Sequence, residues 1–230
     1  QRVEAAYRLI SEEYSWHAVA KRMDSQLNQL EAVPALNPQP RFGCVTTWNS
    51  KCGIATYSQL LLKPAISDAL ILANDDAELT AQDDQHVQRC WSANQEETLE
   101  RLEQAIIDAG IQQLLIQFNF SFFNLQALKR LLANLHQRGI QTMLTFHSTA
   151  DVYWGEELKT LRDLLPELQQ VSRIFVHGTD DLNRLKDYGL VHNTCLFPHG
   201  VKRQPMEQLT PATPAVLQGK QVIASYGFLL

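Results

Sequence analysis

Two sets of residues in this chain have the types and spacing for chemistry. The first is the run Trp48-Asn49-Ser50-Lys51-Cys52-Gly53, small and polar, set between an apolar segment and an amphipathic one. A glycine at the head of a helix leaves backbone N–H groups open to an anion such as a diphosphate, and Lys51 adds a cation for a phosphate or carboxylate. The same glycine also suits a plain tight turn, so both readings stand. The second set is His147, His177 and His199, each just past a short apolar run. One such histidine is usually a packed structural residue, whereas three converging on one edge would make a polar pocket.

Other candidates carry less. Cys44, Cys52, Cys90 and Cys195 form no C-x-x-C pair, so neither a thiol zinc site nor a disulfide framework is expected and the thiols read as reduced. Cys52 precedes a helix start, which favours a thiolate, but no His or Asp stands beside it; a small buried residue is the simpler reading. Asp75-Asp76 would suit a ribose or a solvated loop. Phe118, Phe120, Phe122 and Phe123 would stack on a sugar or fill a core, with the core preferred. The sequence has no nucleophile elbow, Walker loop or paired-carboxylate pattern. A dinucleotide oxidoreductase would need G-x-G-x-x-G where this loop has Gly53 alone.

The elements that must position these residues alternate. Strand candidates are 42–47, 69–73, 113–118, 140–146, 173–177 and 194–197; helical patterns occupy 54–66, 95–109, 124–138, 156–170 and 179–188. Gly110, Gly139 and Gly189 each follow a helical pattern, as stop signals should. Residues 74–94 read as loop, with room for a short strand. This order predicts an α/β domain, a Rossmann-like doubly wound parallel sheet of six strands. In such sheets ligands gather beyond the carboxyl ends of the strands. Those positions hold Trp48 to Gly53, Asn119 and Ser121, His147, then His177 and Thr179, then His199 and Gly200.

Bulk properties bound the function. The 230 residues suffice for one domain with an appendage, and 45% apolar with 20% charged residues fits a globular protein. A net charge of −5 argues against a broad nucleic-acid-binding surface. The most apolar stretch, LLLKPAISDALILA, is broken by Lys63, Pro64 and Asp68 and cannot span a bilayer. Residues 1–31 show helical spacing (Val3, Ala6, Tyr7, Ile10, Tyr14, Val19, Met23, Leu27, Leu30), 32–41 form a Pro-rich linker, and 202–220 a second linker. The expected domain is 42–201, with 221–230 opening a further strand; the whole reads as a piece of a longer chain.

The residues carry a family likeness. TTWNSKCGIATYSQLL, LLIQFNFSFF, TFHST, RIFVHGTDDLNRLKDYGL and NTCLFPHGV, in this order, resemble the N-terminal half of a GT-B glycosyltransferase of the retaining family-four type. VIASYGFLL is similar to the first strand of the donor-binding half, without the Lys-Gly turn that usually follows. The opening helix, with YSWHAVAKRM, is similar to the C-terminal helix of an upstream module. The resemblance implies transfer of a hexose, mannose for instance, from a nucleotide sugar to a glycan acceptor. It makes the loop 49–53 the approach to the donor diphosphate and His147 the contact to the transferred sugar. Trp48, Tyr57, Asn119 and Ser121 would line the acceptor side. The sugar nucleotide is a substrate, no metal or other cofactor is expected, and the other partners are modules of the same polypeptide. The implied location is cytoplasmic, with peripheral attachment at the inner membrane face left open. The gripping basic and acidic pairs belong to the other half, so this chain alone is expected to transfer nothing. A non-catalytic carbohydrate-binding or scaffold module of the same ancestry, or a sugar-nucleotide epimerase or dehydrogenase, remain as alternatives.

Overall fold

A computed structural model describes residues 4–5, 41–76, 78–94, 96–200 and 217–221. The expected opening helix, both linkers for the most part, and the final strand lie outside them. The described core is one parallel sheet. Its strands are β1 (Phe42–Thr46), β2 (Ala69–Asn74), β3 (Val87–Trp91), β4 (Gln113–Phe118), β5 (Gln141–Phe146), β8 (Arg173–Val176) and β9 (Thr194–Leu196), in the order β3-β2-β1-β4-β5-β8-β9. Every pairing between neighbours is parallel. The predicted α/β fold is therefore present, with seven strands in place of six. The added member is β3, in the segment read mainly as loop; its pattern VQRCW is mixed because it is an edge strand with only Cys90 and Trp91 buried.

The pleat sends alternate side chains to opposite faces. Val45, Leu72, Leu114, Ile116, Leu144 and Ile174 join one apolar cluster, and Cys44, Ile71 and Leu115 join the other. The first face is covered by α2 (Glu100–Asp108), α3 (Leu125–Gln137) and α5 (Thr179–Asp187), through Leu102, Leu128, Leu131 and Leu185. The second is covered by α1 (Gly53–Leu62), through Leu62, and by the 3-10 turn Lys63–Asp68. A buried Thr46–Ser58 hydroxyl pair, 2.7 Å apart, fixes α1 onto β1. Phe118, Phe120, Phe122, Phe123, Trp91 and Phe146 pack ring on ring in the core, so the FNFSFF aromatics are structural.

Glycines stop the helices as expected. Gly110, Gly139 and Gly189 have φ of 63°, 73° and 87°, a region costly for side chains with a Cβ. The helix expected over 156–170 is absent. In its place stand the antiparallel hairpin β6 (Val152–Trp154) and β7 (Glu157–Lys159), the 3-10 turn Leu161–Leu164 and the short helix α4 (Leu165–Leu168). Two residues explain this. Gly155 takes φ of 63° at the first position of the two-residue hairpin loop, and Pro166 is tolerated in the first turn of a helix but not in its interior. Helix α2 also starts at Glu100 rather than near 95, and α1 gives way to 3-10 geometry at Lys63, before Pro64.

Candidate functional site

In the strand order the chain leaves β1 toward β2 on one side and returns to β4 on the other, so the crevice between β1 and β4 is the switch point where open α/β sheets bind ligands. The loop after β1, the turn after β4 and the ends of β5, β8 and β9 all open on this edge. Helix α1 links them: Tyr57 on its second turn packs edge-on against His147, His177 and His199, at centroid distances of 5.0, 5.2 and 5.4 Å. The glycine-headed helix and the three histidines thus belong to one site.

The first part of the loop after β1 is tied down through Asn49. Asn49 has φ of 50°, tolerable for Asn because its short amide bonds locally. Its Oδ1 accepts from Gln59 Nε2 at 2.8 Å, and its Nδ2 donates to Gln82 O at 3.1 Å and Asp83 Oδ1 at 2.9 Å. Arg89, from β3, grips Asp83 with Nε and Nη2 at 2.7 and 2.9 Å, and also donates to the carbonyl oxygens of Trp48 and Asn74. The hydrogen bonds from Arg89 hold the Asp83 carboxyl below its ordinary range. Ser50 forms an antiparallel bridge with Leu79, and its Oγ is the exception, buried without a partner among the described residues. Trp48 is buried against Cys44 and Leu62 and is core rather than cleft wall.

Past the loop, Lys51 and Gly53 are exposed. Cys52 caps α1 without a side-chain hydrogen bond, and no acidic residue stands in the first turn, so the first N–H groups are uncapped. Thr47 Oγ1 lies 3.4 Å from Cys52 Sγ. The four cysteines are all free; burial pushes the thiols of Cys44 and Cys90 up to about 12, which keeps both neutral. Asn119 and Ser121 bond to each other, Ser121 Oγ to Asn119 Oδ1 at 2.8 Å, in a turn at the end of β4. Asp75 and Asp76 are engaged with Ser92, Arg101, Asn74 and Ala93, the structural reading of that pair.

The histidine side differs. His177 and His199 stack at 3.8 Å between centroids, and His147 lies 5.1 and 6.3 Å from them. His147 Nε2 is 2.8 Å from Gln117 Oε1, and His177 Nδ1 is 2.7 Å from Phe197 O. Burial, then the neighbouring His177 and His199, lowers His147 to about 4; burial, then His177, also lowers His199. Burial, then Cys44, raises the Tyr57 phenol. At neutral pH the His147 and His199 rings and the Tyr57 phenol are uncharged. Tyr57 Oη, His177 Nε2 and Gln117 Nε2 are buried without a partner among the described residues. His199, Gly200 and Thr179 are exposed at the rim.

Residues that sequence reasoning passed over are Gln117, Gln59, Asp83 and Arg89. Gln117 had a signal, a polar residue inside the apolar run LLIQF, fully buried in β4. Arg89 and Asp83, six residues apart, had none, since their pairing depends on the loop before β3 folding back onto that strand. As candidate metal holders, the three histidines are the single group of His, Cys, Asp or Glu side chains gathered closely enough among the described residues. Also among them, no helix is long and apolar enough to cross a membrane. Compared with known proteins, the chain matches no family model and no curated sequence.

Proposed function

We propose that residues 42–201 are the acceptor-side half of a GT-B glycosyltransferase, retaining in type, that moves a hexose from a nucleotide sugar to a glycan. One observation carries the reading: the uncapped start of α1 and His147 share the switch-point edge, joined by Tyr57. The leaving diphosphate needs its charge stabilised; the α1 N–H groups and the exposed Lys51 supply partial and full positive charge there. His147, neutral at physiological pH, is suited to a sugar hydroxyl rather than a phosphate. With its Nε2 proton directed at Gln117 Oε1, the ring keeps a lone pair on Nδ1 that accepts from a hydroxyl. The remaining cations and the base-binding pocket would come from a second half.

The chain by itself is then a glycan binder that turns nothing over. Heteronuclear NMR titration with short hexose oligosaccharides should shift Tyr57 and the three histidine rings, and labelled sugar nucleotide should remain intact. Joined to a donor-binding half, the protein should transfer sugar, and His147→Ala should lower kcat more than it raises KM. Fluorescence quenching by a nicotinamide cofactor, with no response to glycans, would point to a dehydrogenase and end the proposal.

One observation favours the non-catalytic reading as second choice. Asn49 and its neighbours spend their polar groups inside the protein, so the loop gives a phosphate little besides backbone N–H groups and Lys51. A glycan-binding module without transfer would leave activity of the joined protein at zero while keeping the NMR shifts.

A further inference from the structure

His147 and His177 stand one residue past the register partners Phe146 and Val176, and His199 stands three past Leu196, the partner of Val176. Adjacent parallel strands therefore deliver three imidazoles to one spot, in a group that contains no carboxylate. One ring nitrogen of each lies within 4.8 Å of the other two. A point then exists within about 2.8 Å of all three nitrogens, against the roughly 2.0–2.1 Å of a zinc–imidazole bond. Closing the gap means moving each nitrogen by about 0.7 Å. It also means opening the His177–His199 stack, 3.8 Å between centroids and 24° between planes, so that both in-plane lone pairs can face one ion. His199, exposed at the rim, has the freedom to move.

The orientation of the rings adds a second, independent observation. Phe197 O only accepts, so His177 Nδ1 carries the proton and its Nε2 carries a lone pair; that Nε2 is buried and has no hydrogen-bond partner among the described residues. Gln117 Oε1 likewise accepts from His147 Nε2, leaving the lone pair on Nδ1. Metal-ligating histidines characteristically donate the second ring N–H to a carbonyl, which sets the tautomer and aims the free nitrogen. Two of the three rings already have this support.

We propose that His147, His177 and His199 form a three-imidazole site for a divalent transition ion, Zn2+ by its ligand chemistry, with a fourth position open to water or another oxygen ligand. Tyr57 walls the site with its ring edge against all three imidazoles. The inference does not depend on the glycosyl-transfer reading. If both hold, Zn2+ and a sugar hydroxyl compete for the Nδ1 lone pair of His147, and added zinc displaces glycan.

The test uses the 230-residue chain stripped with a chelator and dialysed. Calorimetric titration with Zn2+ at neutral pH should show one equivalent bound, and Co2+ should give the intense visible bands of a four-coordinate imidazole site. His199→Ala removes an exposed ring and should fold as the parent does, yet weaken Zn2+ binding about 100-fold or more. His147→Gln should do the same, while His192→Ala, exposed elsewhere, should leave the affinity unchanged. No zinc uptake by the parent, equal affinity in His199→Ala, or a weak octahedral cobalt spectrum each overturns the proposal. Zinc binding without glycan binding, or glycan binding without zinc, separates this inference from the proposed function.

Discussion

The loop after β1 and the ends of β5, β8 and β9 sit on the same edge of one sheet and treat their polar groups in opposite ways. Around Asn49, most donors and acceptors are matched, amide to amide, guanidinium to carboxylate, and carbonyls to Arg89, with Ser50 Oγ and Asn74 Oδ1 left over among the described residues. Around Tyr57, three buried polar atoms have no partner among the described residues. Buried polar groups are normally satisfied, since leaving one bare costs about 1–3 kcal/mol. A region that meets its own needs is built to hold shape. A region that leaves several unmet is built to meet something else.

The largest effect should come from opening the matched side. Arg89→Ala strips the partner from a half-buried Asp83 and leaves two carbonyls bare, and urea unfolding should show a loss of roughly 3 kcal/mol. A loss under about 1 kcal/mol would mean that water replaces Arg89 and that the loop is not locked by it.

Acid should act of similar size on the other side. His147 titrates near 4 when folded and near 6.5 when unfolded, so between those values the unfolded chain holds more protons. Its contribution is complete above about pH 6.5 and fades as pH falls toward 4, to a total of roughly 3 kcal/mol. Unfolding free energies measured from pH 7 to 4 in a chelator should show that slope in the parent and not in His147→Gln. Equal slopes in both would assign the acid response elsewhere.

Asn49 gives a finer cut. Asn49→Ala should cost about 2 kcal/mol, losing three side-chain hydrogen bonds and placing a Cβ residue at φ of 50°. Asn49→Gly removes the strain but not the lost bonds, and should recover about 1 kcal/mol of it. Smallest of all is Tyr57→Phe, which deletes an unpartnered buried hydroxyl and keeps the ring. Stability should stay level or rise by up to about 1 kcal/mol; a clear loss would reveal a bond for Tyr57 Oη and weaken the contrast.

Much of the fold was readable because it rests on local signals. Apolar runs, glycines after helical patterns and the spacing between them mark six strands to within a residue or two. Edge strand β3 was legible only as room for a short strand, and the hairpin β6–β7 was missed. The first lacks an apolar run because only its end is buried, and the second hides behind apolar spacing that also fits a helix until Gly155 and Pro166 are weighed. The site was half readable. Strand ends name His147, His177 and His199, since position beyond a parallel strand is a topological fact. Arg89, Asp83 and Gln59 were silent, because a polar residue shows its partner only when the partner arrives from another element.

Alone, the sequence determined the alternation of strand and helix, the parallel sheet and the edge on which chemistry would collect, because each follows from periodicity and turn residues within a few positions. Only the tertiary structure decided that Asn49 is a structural tie, that Trp48 is core, and that three imidazoles and a phenol meet with Tyr57 Oη and His177 Nε2 unpaired among the described residues. Those outcomes depend on strand order and register, which bring together residues from 10 to 142 positions apart. Hydrogen-bond demand is then settled by whichever neighbours the fold supplies.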